Sequence, residues 1–427
     1  MTQSLLDRRH ALIGHAPLFY EQPVHIVRGE GAVLYDADGK RYIDMYNNVP
    51  CVGHANPRVA EAMARQLGTL NVHSRYLHEG ILDYAERLIS LHHDGIESVV
   101  FACSGTEASE IALFMARGAT GGQGFICTDA TYHGNSAEVI KLARASLTDE
   151  DPDRLFRAVP VPQTYRPIGD GLTNEELCDT YLGRIQAEIN AFESAGIPFA
   201  GMFVCSIFAN EGLPTTPEGF MAKAADIVHA AGGLIIADEV QAGFCRSGDW
   251  WGYETSDFVP DIVTMGKPMG NGMPLSATAA SNEIVETFRR RNGYFNTFAS
   301  SPLQAATGMA VLDEIHDRDL LKQSRDIGET MREALRALQP DCEFMGDVRG
   351  CGLFTGIDWV TDKASRTPDH KGAIKVANAM KDRGILLSNA GAYRNVIKIR
   401  PPLVFQHDHA EEFIATFTDV VNNLEAV

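Results

Sequence analysis

The chain has no apolar run of the roughly 18–20 residues that a membrane-spanning helix needs. Its opening, MTQSLLDRRH, carries two arginines with no long apolar stretch behind them, so no targeting segment is expected there. It also lacks cysteines in pairs. Cys51, Cys103, Cys127, Cys178, Cys205, Cys245, Cys342 and Cys351 are scattered, without a C-x-x-C pair or zinc-like spacing. They read as free thiols in a reducing compartment, so neither a disulfide framework nor a metal is expected, and the cytoplasm is the default location. An excess of basic charge is missing too. The net charge is -19 and the pI is near 5.1, which argues against nucleic acid or an anionic membrane surface as the main partner. A small anionic substrate is still compatible, because a pocket can be locally positive. No internal repeat and no low-complexity tract occurs.

What is present is ordinary globular composition, with 45% apolar and 22% charged residues. At roughly 100–200 residues per domain, 427 residues suggest two or three structural units. The first, 1–55, is rich in Gly and Asp. In HIVRGEGAVLYDADGKRYIDM, Ala37-Asp38-Gly39 breaks IVRGEGAVLY from RYIDM, which predicts a small antiparallel element. Amphipathic helices are expected near 57–69 and 80–92. The second unit runs 56–316. From about residue 97, short apolar runs alternate with helical stretches: SVVFAC, GFICTD (followed by a helical NSAEVIKLARA), FAGMFVCSIF, GLIIAD, DIVTMG and SATAAS. That pattern predicts an α/β fold with a mostly parallel sheet covered on both faces. The Pro- and Asp-rich stretch 150–171 reads as an excursion from the sheet, and a helix at 303–316 leads out. The tail, 317–427, reads as a small α+β unit that packs with the N-terminal block.

Active sites of such sheets lie at the carboxyl ends of the strands, so the residues after each apolar run carry the chemistry. After SVVFAC come Ser104, Gly105 and Thr106, opening a helix. They form a phosphate cradle or, taken alone, a plain helix cap. After GFICTD come Tyr132, His133 and Gly134; an aromatic there stacks on a flat heterocycle or simply packs. After GLIIA comes Asp238-Glu239, which also resembles the metal-binding acid of a nucleotide hydrolase. That reading needs a G-x-x-x-x-G-K-[ST] partner, and Gly266-Lys267-Pro268-Met269-Gly270-Asn271-Gly272 has the wrong spacing. After DIVTM comes Gly266-Lys267. A lysine leaving an apolar strand is held near the interior, where desolvation favours the neutral, nucleophilic amine. Together these residues make a complete site for pyridoxal phosphate. Ser104, Gly105 and Thr106 would hold the phosphate, Asp238 the pyridine nitrogen, and Lys267 the Schiff base, with Tyr132 and Val240 on the two ring faces.

With GAVLYDADGKRYIDM, SGTEA, TYHG, IIADEVQAGFCRSG, MGKPMGNGMPL, TFASSP and IRPPL on view, the chain resembles class III (ω-type) aminotransferases of pyridoxal-phosphate fold type I. The likeness runs from about residue 24 to the C-terminal helix. It implies a large domain with a seven-stranded sheet plus a small α+β domain. It assigns the phosphate loop to Ser104, Gly105 and Thr106, the stacking aromatic to Tyr132 (followed by His133), and the pyridinium partner to Asp238. Val240 and Gln241 fall on the ring face and near its 3′-oxygen, and Lys267 is the Schiff-base lysine. Glu211 takes the place of a family glutamate, in an altered, shortened loop. Thr297 matches a threonine that reaches the neighbouring subunit's phosphate, implying a homodimer with shared active sites or a dimer of dimers. The sequence departs from the family at the substrate side. The arginine that clamps an α-carboxylate in many members is Lys398 here, two residues before Arg400, and a lysine offers a point charge where an arginine offers a fork. IDMYNNVPCVGHANP and HSRYLHEGILDYAERL resemble the branch containing ethanolamine-phosphate phospho-lyases. On that likeness Asn48, Arg75, Lys398 and Arg400 become candidate substrate-binding residues, although a structural ion pair explains Arg75 equally well. The expected activity is transfer of an amino group from an amine or ω-amino substrate to a keto acid. The alternative is elimination of phosphate or a similar group from an amino-alkyl substrate.

Overall fold

The computed structural model describes residues 4–143 and 154–423. The N-terminal block forms strands β1 (Ile26–Glu30), β2 (Val33–Asp36) and β3 (Arg41–Asp44), all antiparallel. IVRGEGAVLY is therefore not one run. Gly31-Ala32 turns it into a hairpin in which Glu30 lies opposite Val33. The second turn comes from Asp36, whose Oδ1 accepts the backbone N–H groups of Asp38 and Lys40 at 3.0 and 2.9 Å. The expected helices follow at Pro57–Leu67 and Glu79–Ile89.

The central sheet contains β4 (Ser98–Ala102), β5 (Gly124–Thr128), β6 (Phe156–Val159), β7 (Phe199–Cys205), β8 (Leu234–Asp238), β9 (Ile262–Met265) and β10 (Ser276–Ala280), in the spatial order β4-β10-β9-β8-β7-β5-β6. Only β10 runs antiparallel to its neighbours. Both faces are buried, which is why these strands read as unbroken apolar runs. Ile235 and Ala237 belong to one apolar cluster and Ile236, between them, to the other. Likewise Ile126 faces one layer while Phe125 and Cys127 face the opposite one. Two expectations need correction. The stretch 150–171 is not wholly an excursion, because Phe156–Val159 pairs with β5 as the edge strand. The helix expected over NSAEVIKLARA is confined to Ile140–Ala143, because 135–139 form coil, bend and turn; 144–145 lie outside the described residues.

Past the helix Pro302–Asp317 the tail supplies β11 (Met345–Cys351), β12 (Phe354–Trp359), β13 (Ile385–Leu386), β14 (Ser388–Ala390) and β15 (Val396–Ile399). Four of these form a sheet in the order β11-β12-β15-β14. The two-residue β13 instead joins the N-terminal sheet, parallel to β3, with Ile385 opposite Ile43. Backbone hydrogen bonds thus tie the first block to the tail. Helices Leu320–Leu338, His370–Asp382 and His407–Asn422 complete this part. Among the described residues no helix is long and apolar enough to cross a membrane. All eight cysteines are free thiols.

Candidate active site

Strands β7, β8 and β9 end level with one another. Cys205 pairs with Asp238, and Asp238 with Thr264, so whatever follows these positions meets at one edge of the sheet. The chain then divides the Asp238-Glu239 pair between two tasks. Glu239 turns away and is fully buried. Its carboxylate takes the backbone N–H groups of Gly252 (2.7 Å) and Tyr253 (3.0 Å) and the Ser206 hydroxyl. Burial outweighs those donors and pushes its pKa up to about 7. Asp238 turns toward the strand ends. Its Oδ2 meets His133 Nδ1 at 2.6 Å, and its Oδ1 accepts the Val240 N–H at 2.9 Å. The far nitrogen of His133 meets the Thr131 hydroxyl at 2.8 Å, which fixes the ring from both sides.

The helix Gly105–Thr120 starts where β4 ends. Ser104 caps it, and the Glu107 carboxylate reaches back to the N–H groups of Cys103 (2.7 Å) and Ser104 (2.9 Å). The N–H groups of Gly105 and Thr106 remain without a protein partner among the described residues. Gly105 and Gly266 let this loop touch the end of β9. A Cβ on Gly266 would come within 3.4 Å of Gly105 Cα, and one on Gly105 within 3.1 Å of Val240. That close approach sets Lys267, the next residue, beside the helix start. Desolvation lowers the Lys267 amine from its ordinary value, Asp238 opposes that, and Arg400 reinforces it.

The other predicted residues sort into those brought to this edge and those not. Gln241 is buried and central. Its Nε2 donates to Asn210 Oδ1 at 2.8 Å, and its Oε1 accepts from Arg400 (2.8 Å) and Lys398 (3.2 Å). Arg400 also donates to the Tyr46 carbonyl and lies over the Tyr46 ring, 4.4 Å from its centroid. Lys398 is 2% exposed and, besides bonding Gln241, lies 5.2 Å from the centre of the Phe354 ring. Glu211 is buried, accepts the Thr128 hydroxyl at 2.7 Å, and leaves its Oε2 unpartnered. It arrives from the loop; the residue level with Asp238 on β7 is Cys205. Asn48 is buried with its Nδ2 unpartnered. Tyr132 stands at the rim, 46% exposed, and its carbonyl holds Asn210 at 3.1 Å. Arg75 and Thr297 are not gathered here. Both are exposed, and Arg75 lies 4.3 Å above the Phe295 ring without a carboxylate partner among the described ion pairs. Asn210, Thr131 and Asn296 escaped the sequence reading. Asn296 donates to Glu107 and accepts the N–H groups of Phe298 and Ala299, joining the Thr297 loop to the helix cap.

A family model described as aminotransferase class-III matches residues 19–421. The chain belongs to that family. Its relatives within the class-III aminotransferases carry two kinds of name. It is 36% identical to the "Alanine--glyoxylate aminotransferase 2-like" protein of Drosophila melanogaster, over 96% of this chain and 85% of that one. It is also 36% identical to "Ethanolamine-phosphate phospho-lyase homolog 1" of Caenorhabditis elegans, over 98% and 93%. Among solved structures, a phospholyase from Arthrobacter in complex with phosphoethanolamine superposes with a TM-score of 0.94 at 40% identity, covering 98% of this chain and 99% of that one. An omega transaminase from Pseudomonas jessenii, at TM-score 0.88 and 22% identity, shares the fold.

Class-III aminotransferases use pyridoxal phosphate. The residues at this edge fit it. Two unpaired N–H groups at a helix start suit a phosphate. Asp238 Oδ1, met among the described residues by the Val240 N–H, has capacity left for a protonated ring nitrogen. A desolvated lysine suits an aldehyde. The buried orphan Oε2 of Glu211 leaves polar capacity beside Thr128 and His133.

Lys398 carries a stability prediction. Burial, with Arg400 adding to it, holds its amine well below the ordinary lysine value. A folded pKa below the unfolded one gives a contribution that is full above the unfolded value and lost as pH falls through the folded value. At neutral pH the wild type therefore bears a penalty that Lys398→Met removes. The thermal midpoint of the variant is expected above wild type at pH 7, with the gap narrowing toward pH 10. A gap independent of pH would contradict this.

Proposed function

We propose that this enzyme is a pyridoxal-phosphate-dependent phospho-lyase, acting on a phosphoethanolamine-like amino-alkyl phosphate. In the sequence alone this reading stood second, behind transamination. The observation that carries it is Lys398. At the position where many relatives clamp an α-carboxylate with a forked arginine, this chain has a buried amine already turned to Gln241. Arg400 is likewise committed to Gln241 and Tyr46. A substrate without an α-carboxylate needs no such clamp. The 40% identity to a phospholyase supports the same reading.

When bound, pyridoxal phosphate supplies an electron sink. The chain's residues do the rest. The N–H groups of Gly105 and Thr106, with the Ser104 hydroxyl, would hold the cofactor phosphate, and Asp238, oriented by His133, would keep a proton on the ring nitrogen. Val240 and Tyr132 would lie toward the cofactor's ring, while Gln241 holds Asn210 and Arg400 and Glu211 ties the Asn210 loop to Thr128. Lys267 Nζ, whose amine desolvation shifts toward its neutral form, removes the proton from the amine-bearing carbon. The carbon–oxygen bond at the adjacent carbon then breaks and phosphate leaves with the electron pair. With one water, phosphoethanolamine gives acetaldehyde, ammonia and phosphate, and no second substrate is consumed. Arg75 and Thr297, exposed together, complete the site of a second copy of the chain in a homodimer, where Arg75 grips the substrate phosphate. Eight free thiols support a reducing, cytosolic location.

Transamination to a keto acid is the second reading, favoured by the 36% identity to an alanine–glyoxylate aminotransferase 2-like protein. One assay separates the two. Phosphoethanolamine alone is expected to yield phosphate and ammonia in equal amounts. Amino transfer that is stoichiometric with added pyruvate, with no phosphate released, would overturn elimination.

A further inference from the structure

The loop carrying Asn210 and Glu211 is held from two sides. On the cofactor side, Asn210 bridges the Tyr132 carbonyl and Gln241, and Glu211 receives the Thr128 hydroxyl and lies beside His133 and Thr131. On the opposite side, the third residue of the loop meets β11. Arg349, 6% exposed, directs Nε and Nη2 at the Gly212 carbonyl, at 3.1 and 2.9 Å. Its Nη2 also reaches Asp358 Oδ2 at 3.0 Å, and its Nη1 reaches Asp347 at 3.0 Å. Asp358 on β12 is 1% exposed and is shared with Arg166, beyond the edge strand β6, and with Asn395 at 2.7 Å. Burial raises its carboxyl, and Arg166 and Arg349 more than offset this, so it stays charged and keeps the guanidinium in place. Two further contacts close the loop. Gly391 N–H donates to the Asn210 carbonyl at 3.0 Å. Gly212 has φ +105°, and a Cβ there would lie 2.9 Å from Val396, so the peptide sits flush against β15.

A forked guanidinium that spends two N–H groups on one carbonyl fixes both the position and the tilt of that peptide. The next peptide back bears Glu211. We propose that Arg349 is a positioning residue: by gripping the Gly212 carbonyl it holds Asn210 and Glu211 against Tyr132, Gln241 and Thr128, so the C-terminal sheet sets the geometry of the cofactor side. This rests on the reading of Asn210 and Glu211 as part of that side.

The test compares Arg349→Met and Arg349→Lys with Arg332→Met. Arg332 is a buried arginine of the same region, 3% exposed, bonded to Gly352 and Glu329, and it does not touch the loop. Four quantities are read: the thermal midpoint, the affinity of the apoprotein for pyridoxal phosphate, kcat/KM, and the low-field proton resonance of the 2.6 Å His133–Asp238 bond in the apoprotein. Arg349→Met is expected to weaken cofactor affinity and kcat/KM by about 10–100-fold, the scale of a misplacement near 1 Å. It is also expected to shift or broaden the low-field resonance. Arg349→Lys, which restores one bond without the fork, should fall between Met and wild type. Arg332→Met should lower the midpoint while leaving affinity and resonance unchanged. Asn210→Ala combined with Arg349→Met should be less than additive, because both act through one loop. Equal effects of Arg349→Met and Arg332→Met on all four quantities, or full additivity with Asn210→Ala, would overturn the proposal. If Asn210→Ala and Glu211→Gln themselves leave affinity and turnover at wild-type levels, the reading of the cofactor side fails instead.

Discussion

Replacing Lys267 with alanine is expected to lower turnover by about 10⁴-fold or more, since in the proposed mechanism one amine serves as both covalent anchor and proton carrier. The near-visible absorbance that borohydride bleaches should vanish with it, while the fold persists. The physical basis is placement. Gly266 lies against Gly105, so Lys267 leaves β9 beside the helix start, where desolvation favours its neutral form. The thermal midpoint separates this from unfolding: removing a desolvated amine should cost little stability. Turnover within tenfold of wild type, with the reducible chromophore retained, would place the anchor on another residue.

Asp238→Asn is expected to cost at least about 10³-fold in kcat while leaving the reducible chromophore in place. A carboxylate at Asp238 stabilises a proton on the ring nitrogen, and a neutral amide of the same shape does not. The loss is compounded at His133, whose Nδ1 lies 2.6 Å from the carboxylate and would face an amide. The two defects differ in what they alter. The affinity for pyridoxal phosphate should fall modestly, because the helix start at Gly105 and Thr106 is untouched, whereas kcat collapses. A variant that lost affinity and turnover in proportion would instead mark Asp238 as a binding residue only.

The central sheet was legible because its strands are buried on both faces and so read as unbroken apolar runs. Phe156–Val159 was not. This edge strand carries Arg157, which pairs with Glu188 at 3.2 Å and lies over Phe192, so the four residues look like loop. The hairpin at Gly31 was missed because β1 is largely solvent-facing and breaks the alternation. At the site, Asp238 and Lys267 were legible as polar residues ending apolar runs. The His133–Asp238 bond spans 105 residues of sequence, and no local pattern announces it. Lys398 was legible as a departure from the family. That its amine turns to Gln241, already met by Arg400, is a fact of three-dimensional placement. Arg75 and Thr297 lie apart from the converging strand ends, and the role proposed for them requires a second copy of the chain.

Two desolvated amines, Lys267 and Lys398, lie at this edge, and both are lowered by desolvation. Reduction of the holoenzyme with borohydride, followed by proteolysis and mass spectrometry, tells them apart. A pyridoxyl label on the peptide containing Lys267, and on no other, is the predicted result. A label on Lys398, or no covalent label on a cofactor-saturated enzyme, would contradict it.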